Sequence, residues 1–390
     1  MKVLFVNAID LKNAVHKRYC PLAFGYLTSY CHMNGAEFEP YYLESINEAS
    51  LRKINPDLVA ITSTTANYNL TKSYAILAKK FNPHIKVVIG GVHISAVPHS
   101  LSPHMDIGVV GEGEQTFLEL LQADFEPDNN IKGIVYWDDS RIQKTEERPL
   151  IEPLDLIPHP NRSLFGFNDR NQYIFTSRGC CYRCKFCSSS RFWKKVRFHS
   201  PEYVAEEIKQ IKEQFQSSHI NIYDDLFIMN AERVKRIRDL VKPFGMTYAV
   251  TARANLITDD ITATLKDMGV TAIGIGMESH SQRILDYLDK GNTVEDNQRA
   301  VDIIRSHGIH LHCSFIRDVP IEKKDDLKKT FQFIKRNSLP YDLYRLTKFP
   351  NTPLYDDSTD WDACKIHNYV PFQIKLRQKI SRIFKTFQWS

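Results

Sequence analysis

The strongest constraint on this chain is its rhythm. Residues 1–125 alternate short apolar runs rich in β-formers with helical stretches: VLFVNA, a helix from about Leu22 to Asn34, EPYYLE, LVAITST, a helix near Leu70 to Phe81, KVVIGG, and IGVVG followed by EQTFLELLQA. Such alternation predicts an α/β fold, a doubly wound parallel sheet of Rossmann-like type with helices on both faces. Sheets of that kind take ligands at the carboxyl ends of their strands. From residue 126 to 168 the periodicity fails and Pro149, Pro153, Pro158 and Pro160 accumulate, so this stretch reads as a linker. A second alternation fills 169–350, with YIFTS, HINIYDD, MTYAVTA, TAIGIGM, IHLHCSF and LYRLTKF separated by helical runs. Six βα-like units predict a partial (β/α)6 barrel with its active site at the carboxyl mouth of the strands. Residues 351–390 form a C-terminal extension.

Composition narrows the function classes. The 390 residues carry 51 Lys+Arg against 46 Asp+Glu, a balance of +5, with 43% hydrophobic residues. This is ordinary globular material, with ample length for two cores. No stretch approaches ~18 uninterrupted apolar residues. The opening MKVLFVNAIDLKN reads as a first strand and not as a signal peptide, so a cytoplasmic placement is expected. The positive charge is local: eight basic and no acidic residues lie between Arg170 and Pro201, and five basic and no acidic residues lie in the last twenty. A patch this local with a modest net charge speaks against nucleic-acid binding. In the tail, Leu376, Ile380, Ile383, Phe384 and Phe387 make one stripe of an amphipathic basic helix. That helix would pack on the second domain or touch a membrane surface or partner.

Eight cysteines are present, and four of them, Cys180, Cys181, Cys184 and Cys187, fall together, while Cys20, Cys31, Cys313 and Cys364 are scattered. In a reducing compartment, clustering points to a metal or to redox chemistry. The pattern Cys180-x-x-x-Cys184-x-x-Cys187 offers three soft thiolates on one loop, which suits an iron-sulfur cluster. Structural zinc would want a fourth Cys or His. Cys181 breaks the spacing and is read as a bystander.

With Phe186 in the aromatic place before the last cysteine, this loop resembles that of the radical S-adenosylmethionine (radical SAM) superfamily. The resemblance implies a 4Fe-4S cluster on Cys180, Cys184 and Cys187, with the open iron chelating SAM. Further along, Asp224 in NIYDDLF resembles the polar groups that family members place near SAM or substrate. Arg253 in VTARAN resembles the arginine that pairs with the SAM carboxylate, and Glu278 in GIGMES the acid that holds its ribose or amine. Each could instead be a structural ion-pair residue. His310, His312 and Cys313, and the RDVPIEKK turn, depart from the family pattern. Residues 1–125 resemble the cobalamin-binding domain that precedes the core in one large subclass, on PLAFGYLTSY, ITSTTAN, VVIGGVHIS and VVGEGEQTF. The resemblance implies cobalamin contacts at Thr62, Ser63, Thr64, Gly90, Gly91, Val92, His93, Gly111 and Glu112. The chain lacks Asp-x-His-x-x-Gly, so no motif histidine would reach the lower face of the cobalt.

The function implied is a cobalamin-dependent radical SAM enzyme, oxygen-sensitive, with a methyltransferase as the leading expectation. Hydrogen abstraction by a 5′-deoxyadenosyl radical would precede methyl transfer from methylcobalamin to an unactivated carbon. The alternatives are a non-methylating ring closure, contraction or oxidation, and a non-catalytic cluster protein for sensing or electron relay. The expected partners are a small-molecule, lipid or natural-product substrate and an acidic electron donor such as flavodoxin or ferredoxin, drawn by the basic collar.

Overall fold

The computed structural model describes residues 1–9, 21–166, 171–355 and 368–369. The amphipathic tail helix, Arg170, Cys20 and Cys364 lie outside them. The first sheet contains β1 (Lys2–Asn7), β2 (Glu39–Leu43), β3 (Leu58–Thr62), β4 (Lys86–Gly90), β5 (Ile107–Val109), β6 (Ile134–Asp138) and β7 (Arg141–Lys144). Its order is β2-β1-β3-β4-β5-β6-β7, parallel through β5 and antiparallel from there on. Val3–Val6, Leu58–Ile61 and Val87–Ile89 are buried on both faces, which is why these strands read as continuous apolar runs. Alternate residues feed two cores: Val3, Phe5 and Ala60 on one face, Leu4, Val6 and Ile61 on the other.

One expectation is corrected here. The linker of 126–168 is not all connection, because the hairpin β6–β7 extends the first sheet at its β5 edge. The Ile134–Tyr136 face of that hairpin is buried against the core, so a short apolar run that looked isolated in sequence finds an open sheet edge.

The second sheet holds β8 (Asn171–Ile174), β11 (His219–Ile222), β12 (Thr247–Ala252), β13 (Val270–Glu278), β14 (His310–Arg317), β15 (Tyr341–Arg345) and β16 (Asn368–Tyr369). The two-residue strands β9 (Ser177–Arg178) and β10 (Arg197–Phe198) form an antiparallel ladder that brackets the cysteine loop. Six strands, from β8 through β11 to β15, run parallel in chain order, and β16 adds antiparallel to β15. Among the described residues the two ends of this sheet do not pair, so the barrel is partial. His310 and His312 are exposed on the strand face opposite Leu311 and Cys313, His312 pairing with Asp342 at 3.0 Å, while Cys313 is buried in the core. Among the described residues no helix is long and apolar enough to cross a membrane.

Candidate functional site

The carboxyl ends of both sheets open on shared space. A cavity of about 670 Å³ is bounded by Asn7, Thr62, Thr64 and Val92 from the first sheet and by Phe175, Phe186, Glu278, Ile316 and Tyr344 from the second. A second cavity of about 350 Å³ shares Thr62, Thr64, Val92, Phe175 and Phe192 with it, and runs between Gly90–Val92, Gly111–Glu114 and Asp225. Thr62, Ser63, Thr64, Gly90, Gly91, Val92, Gly111 and Glu112 are therefore all brought together at this junction.

Gly91 shows why backbone alone can occupy its position. Its φ is +101°, and a Cβ there would lie 2.8 Å from Ser63 O and 2.9 Å from Thr62 Oγ1. The Ser63 N–H donates to Gly90 O at 2.9 Å and the His93 N–H to Ser63 O at 3.2 Å, so the two strand-end loops are stitched together.

His93 is not at the cavity. It is fully buried, stacked on Tyr68 with ring centroids 4.0 Å apart, with Nδ1 3.2 Å from Thr65 Oγ1 and Nε2 3.2 Å from Ser100 Oγ. Burial, helped by the Lys72 and His99 charges, lowers its pKa from 6.5 to about 4. The unfolded chain therefore takes up this proton first as pH falls, and stability present above pH 6.5 is lost toward pH 4. At about 1.36 kcal/mol per pKa unit, His93 is expected to cost roughly 2 kcal/mol of stability between pH 7 and pH 5. Urea melts at the two pH values should show that loss in the wild type and a smaller one in His93→Asn.

Glu112 lines the second cavity, yet its carboxylate is committed elsewhere. Oε1 accepts from Arg178 Nη1 at 2.6 Å and Arg197 Nη2 at 2.8 Å, and Oε2 from Arg197 Nη1 at 2.8 Å and the Ile151 N–H at 2.9 Å. Glu114 accepts from Arg178 Nη2 at 2.6 Å. The Arg178 guanidinium lies 5.4 Å from the Tyr26 ring and 5.2 Å from that of Trp193. This buried network bolts the Gly111–Glu114 loop to β9 and β10, two residues from Cys180. It also thins the basic collar, because Lys194 and Lys195 pair with Glu147 and Glu152 as well. Arg183, Lys185 and Arg191 remain without acidic partners among the described residues, beside exposed Cys181.

Asp224 is likewise structural. Its oxygens accept from Thr176 N–H at 2.6 Å and Oγ1–H at 2.5 Å, and from Ser177 N–H at 3.2 Å and Oγ–H at 2.7 Å, fixing β9 to the end of β11. Asp225 faces the cavity in its place and accepts from Ser189 Oγ at 2.5 Å.

In the cysteine loop, Cys184 is buried, Cys180 and Cys187 are half-buried, and the Cys187 N–H donates to Cys184 O at 3.1 Å. Burial pushes the Cys180 thiol up to about 11 and moves Cys187 the same way, each influenced by another of the three sulfurs. Such thiols become thiolates at neutral pH when a metal supplies positive charge. Among the described residues no three His, Cys, Asp or Glu side chains are arranged to hold a single metal ion. Phe186 packs on the Ile284, Leu288, Ile316 and Val319 cluster, with Lys290 Nζ 5.9 Å from its ring.

Arg253 and Glu278 stand close by. Arg253 Nη1 lies 3.5 Å from Cys184 Sγ, and its Nη2 is buried with no partner among the described residues. Glu278, at φ +60°, folds back so that a Cβ on Gly276 would collide with its Oε1, and it accepts from Lys290 Nζ at 2.9 Å. Sequence reasoning missed Lys290 and Asn292. Asn292 Oδ1 is a buried acceptor without a partner among the described residues, next to Gly291, where a Cβ would lie 3.5 Å from Arg253 Nη2. A ligand bearing both a carboxylate and an amine answers this orphaned donor and acceptor.

Residues 174–334 match the radical SAM superfamily and residues 18–121 the B12 binding domain. The chain is 31% identical over 383 residues to an uncharacterized methyltransferase of Pyrococcus horikoshii, covering 91% of this chain and 83% of that one. It is 27% identical over 368 residues to the anaerobic magnesium-protoporphyrin IX monomethyl ester cyclase of Rubrivivax gelatinosus, covering 86% and 66%. Its fold is similar to that of the radical S-adenosylmethionine methyltransferase TsrM from Kitasatospora setae, solved with cobalamin and a 4Fe-4S cluster bound, at a TM-score of 0.76 and 18% identity over 90% of this chain and 73% of that one. With a radical SAM core behind a B12-binding domain, the chain belongs to the cobalamin-binding radical SAM enzymes.

Proposed function

We propose that this enzyme transfers a methyl group from cobalamin to an unactivated carbon of a small-molecule substrate. The observation that carries the reading is the joined cavity, on which the ligand-binding ends of both sheets open. When bound, the cluster with SAM supplies hydrogen-atom abstraction and cobalamin supplies the methyl group. Cys180, Cys184 and Cys187 would hold the cluster, and Arg253 Nη2 with Asn292 would hold the amino-acid end of SAM, next to the Glu278–Lys290 pair. Thr62–Thr64, Gly90–Val92 and Gly111 would hold cobalamin through backbone and hydroxyl groups. Phe175, Phe186, Phe192, Ile316 and Tyr344 would exclude water from the reacting volume. We place the domain division after β7, with residues up to 166 connecting and the radical SAM core ending near 350. Arg183, Lys185 and Arg191 would receive an acidic one-electron donor, in a cytoplasmic setting.

The test is anaerobic. Enzyme loaded with cluster and cobalamin, given SAM, a low-potential reductant and a metabolite extract, is expected to yield S-adenosylhomocysteine and 5′-deoxyadenosine together. A metabolite heavier by one CH₂ should accompany them. The Rubrivivax relative favours a second reading, ring formation without methylation. Deoxyadenosine appearing without S-adenosylhomocysteine would select it.

A further inference from the structure

We infer that Arg253 is a positioning residue that sets the reduction potential of the cluster, by donating an Nη1–H to Cys184 Sγ. The inference rests on Cys184 being a cluster ligand, as proposed above. Of the three sulfurs, Cys180 has the Tyr182 backbone N–H nearby and Cys187 those of Ser189 and Ser190. Cys184 instead faces a cation, Arg253 Nη1 at 3.5 Å.

Three constraints hold that guanidinium in place. Its carbon sits 3.6 Å from the centroid of the Tyr182 ring, its Nε donates to Asn255 Oδ1 at 2.9 Å, and Asn255 Nδ2 donates to Tyr182 Oη at 3.1 Å. Tyr182 lies within the cysteine loop itself, so the triangle Tyr182–Arg253–Asn255 closes on the ligands it serves. Arg253 is 5% exposed, and screening by water is correspondingly weak. The two terminal nitrogens therefore have separate surroundings: Nη1 faces the sulfur, and Nη2, without a partner among the described residues, lies beside Gly291.

Donation to a ligand sulfur draws electron density from it and favours the form with one more electron. That electron comes from an external one-electron reductant, and no proton moves in the step. Lysine keeps the charge but cannot span sulfur, Asn255 and the tyrosine face at once.

The experiment is a redox titration of full-length, anaerobically reconstituted protein with dithionite and mediators. It is followed by electron paramagnetic resonance in the absence of SAM, so that SAM contacts play no part. Arg253→Gln is expected to make reduction about tenfold less favourable, which is 59 mV more negative for a one-electron couple. Arg253→Lys should fall between the two. Should Arg253→Gln fail to hold a cluster, Tyr182→Leu, which removes the platform, is expected to shift the potential in the same direction by less. Unchanged midpoints would overturn the inference, and a lysine variant equal to wild type would overturn the hydrogen-bonding arm by crediting charge alone. Wild-type protein holding no four-iron cluster would instead overturn the underlying reading of the cysteines.

Discussion

Glu112→Gln is expected to destabilise the protein by about 3–5 kcal/mol, the usual cost of breaking a buried ion pair from one side. The carboxylate side chain is 2% exposed and accepts four hydrogen bonds, three of them from guanidinium groups. Glutamine keeps the shape but presents an amide where Arg178 and Arg197 need acceptors, leaving Arg178 with Glu114 and Arg197 with the Ile151 carbonyl as their remaining partners in this network. Burial alone would raise the Glu112 pKa, but the Arg197 hydrogen bonds, the Arg178 charge and the Ile151 N–H outweigh it and hold the group below its ordinary value of 4.5. A depressed folded pKa contributes stability that is present above pH 4.5 and lost as pH falls through the folded value. The gap between wild type and Glu112→Gln should accordingly be full at pH 7 and shrink in acid. Lys194→Ala is the matched control, since Lys194 and Glu147 are both more than half exposed. Surface pairs of that kind contribute about 0–1 kcal/mol. Urea melts of the two variants give the comparison, and a Glu112→Gln loss no larger than that of Lys194→Ala would show that the network does not hold the domains together.

The fate of Glu112 shows where sequence stops being legible. The strands could be read because burial on both faces leaves unbroken apolar runs, and the cysteine loop because its spacing is rare and local. Glu112, by contrast, meets partners 66 and 85 residues away, and nothing in GEGEQTF distinguishes a ligand contact from an interdomain bolt. Asp224 and Asp225 are a sharper case. Neighbours at a strand end point to opposite sides, so the pair announces an acid at the mouth without saying which one turns inward; Asp225 does, and Asp224 is consumed by Thr176 and Ser177. His93 was unreadable because its partners Tyr68, Thr65 and Ser100 come from two other segments. Lys290 and Asn292 carry no local signal and matter through the fold of Glu278 and Arg253 toward them.

Cys184→Ala is expected to abolish SAM cleavage entirely while leaving the fold and the cobalamin-binding half intact. Cys184 is the most buried of the three loop cysteines at 6% exposure, and its backbone carbonyl also receives the Cys187 N–H, which alanine preserves. Removing one buried sulfur leaves a small void worth on the order of 1 kcal/mol, too little to unfold a domain with the core that packs behind β11 to β15. The expected functional loss is of another order, because under the proposed ligand set only two sulfurs would be left to hold a four-iron cluster in this loop. Anaerobically reconstituted Cys184→Ala should therefore show iron and acid-labile sulfide near zero, no 5′-deoxyadenosine above background, a urea midpoint close to wild type, and unchanged retention of cobalamin. Cys181→Ala, one position from Cys180 and exposed, is expected to keep its iron, its sulfide and its turnover. Cluster loss in Cys181→Ala, or full iron content in Cys184→Ala, would mean that the ligand set is not Cys180, Cys184 and Cys187. A Cys184→Ala protein that lost cobalamin as well would show that the two halves load their cofactors as one unit, through the same bolts that Glu112 makes across the interface.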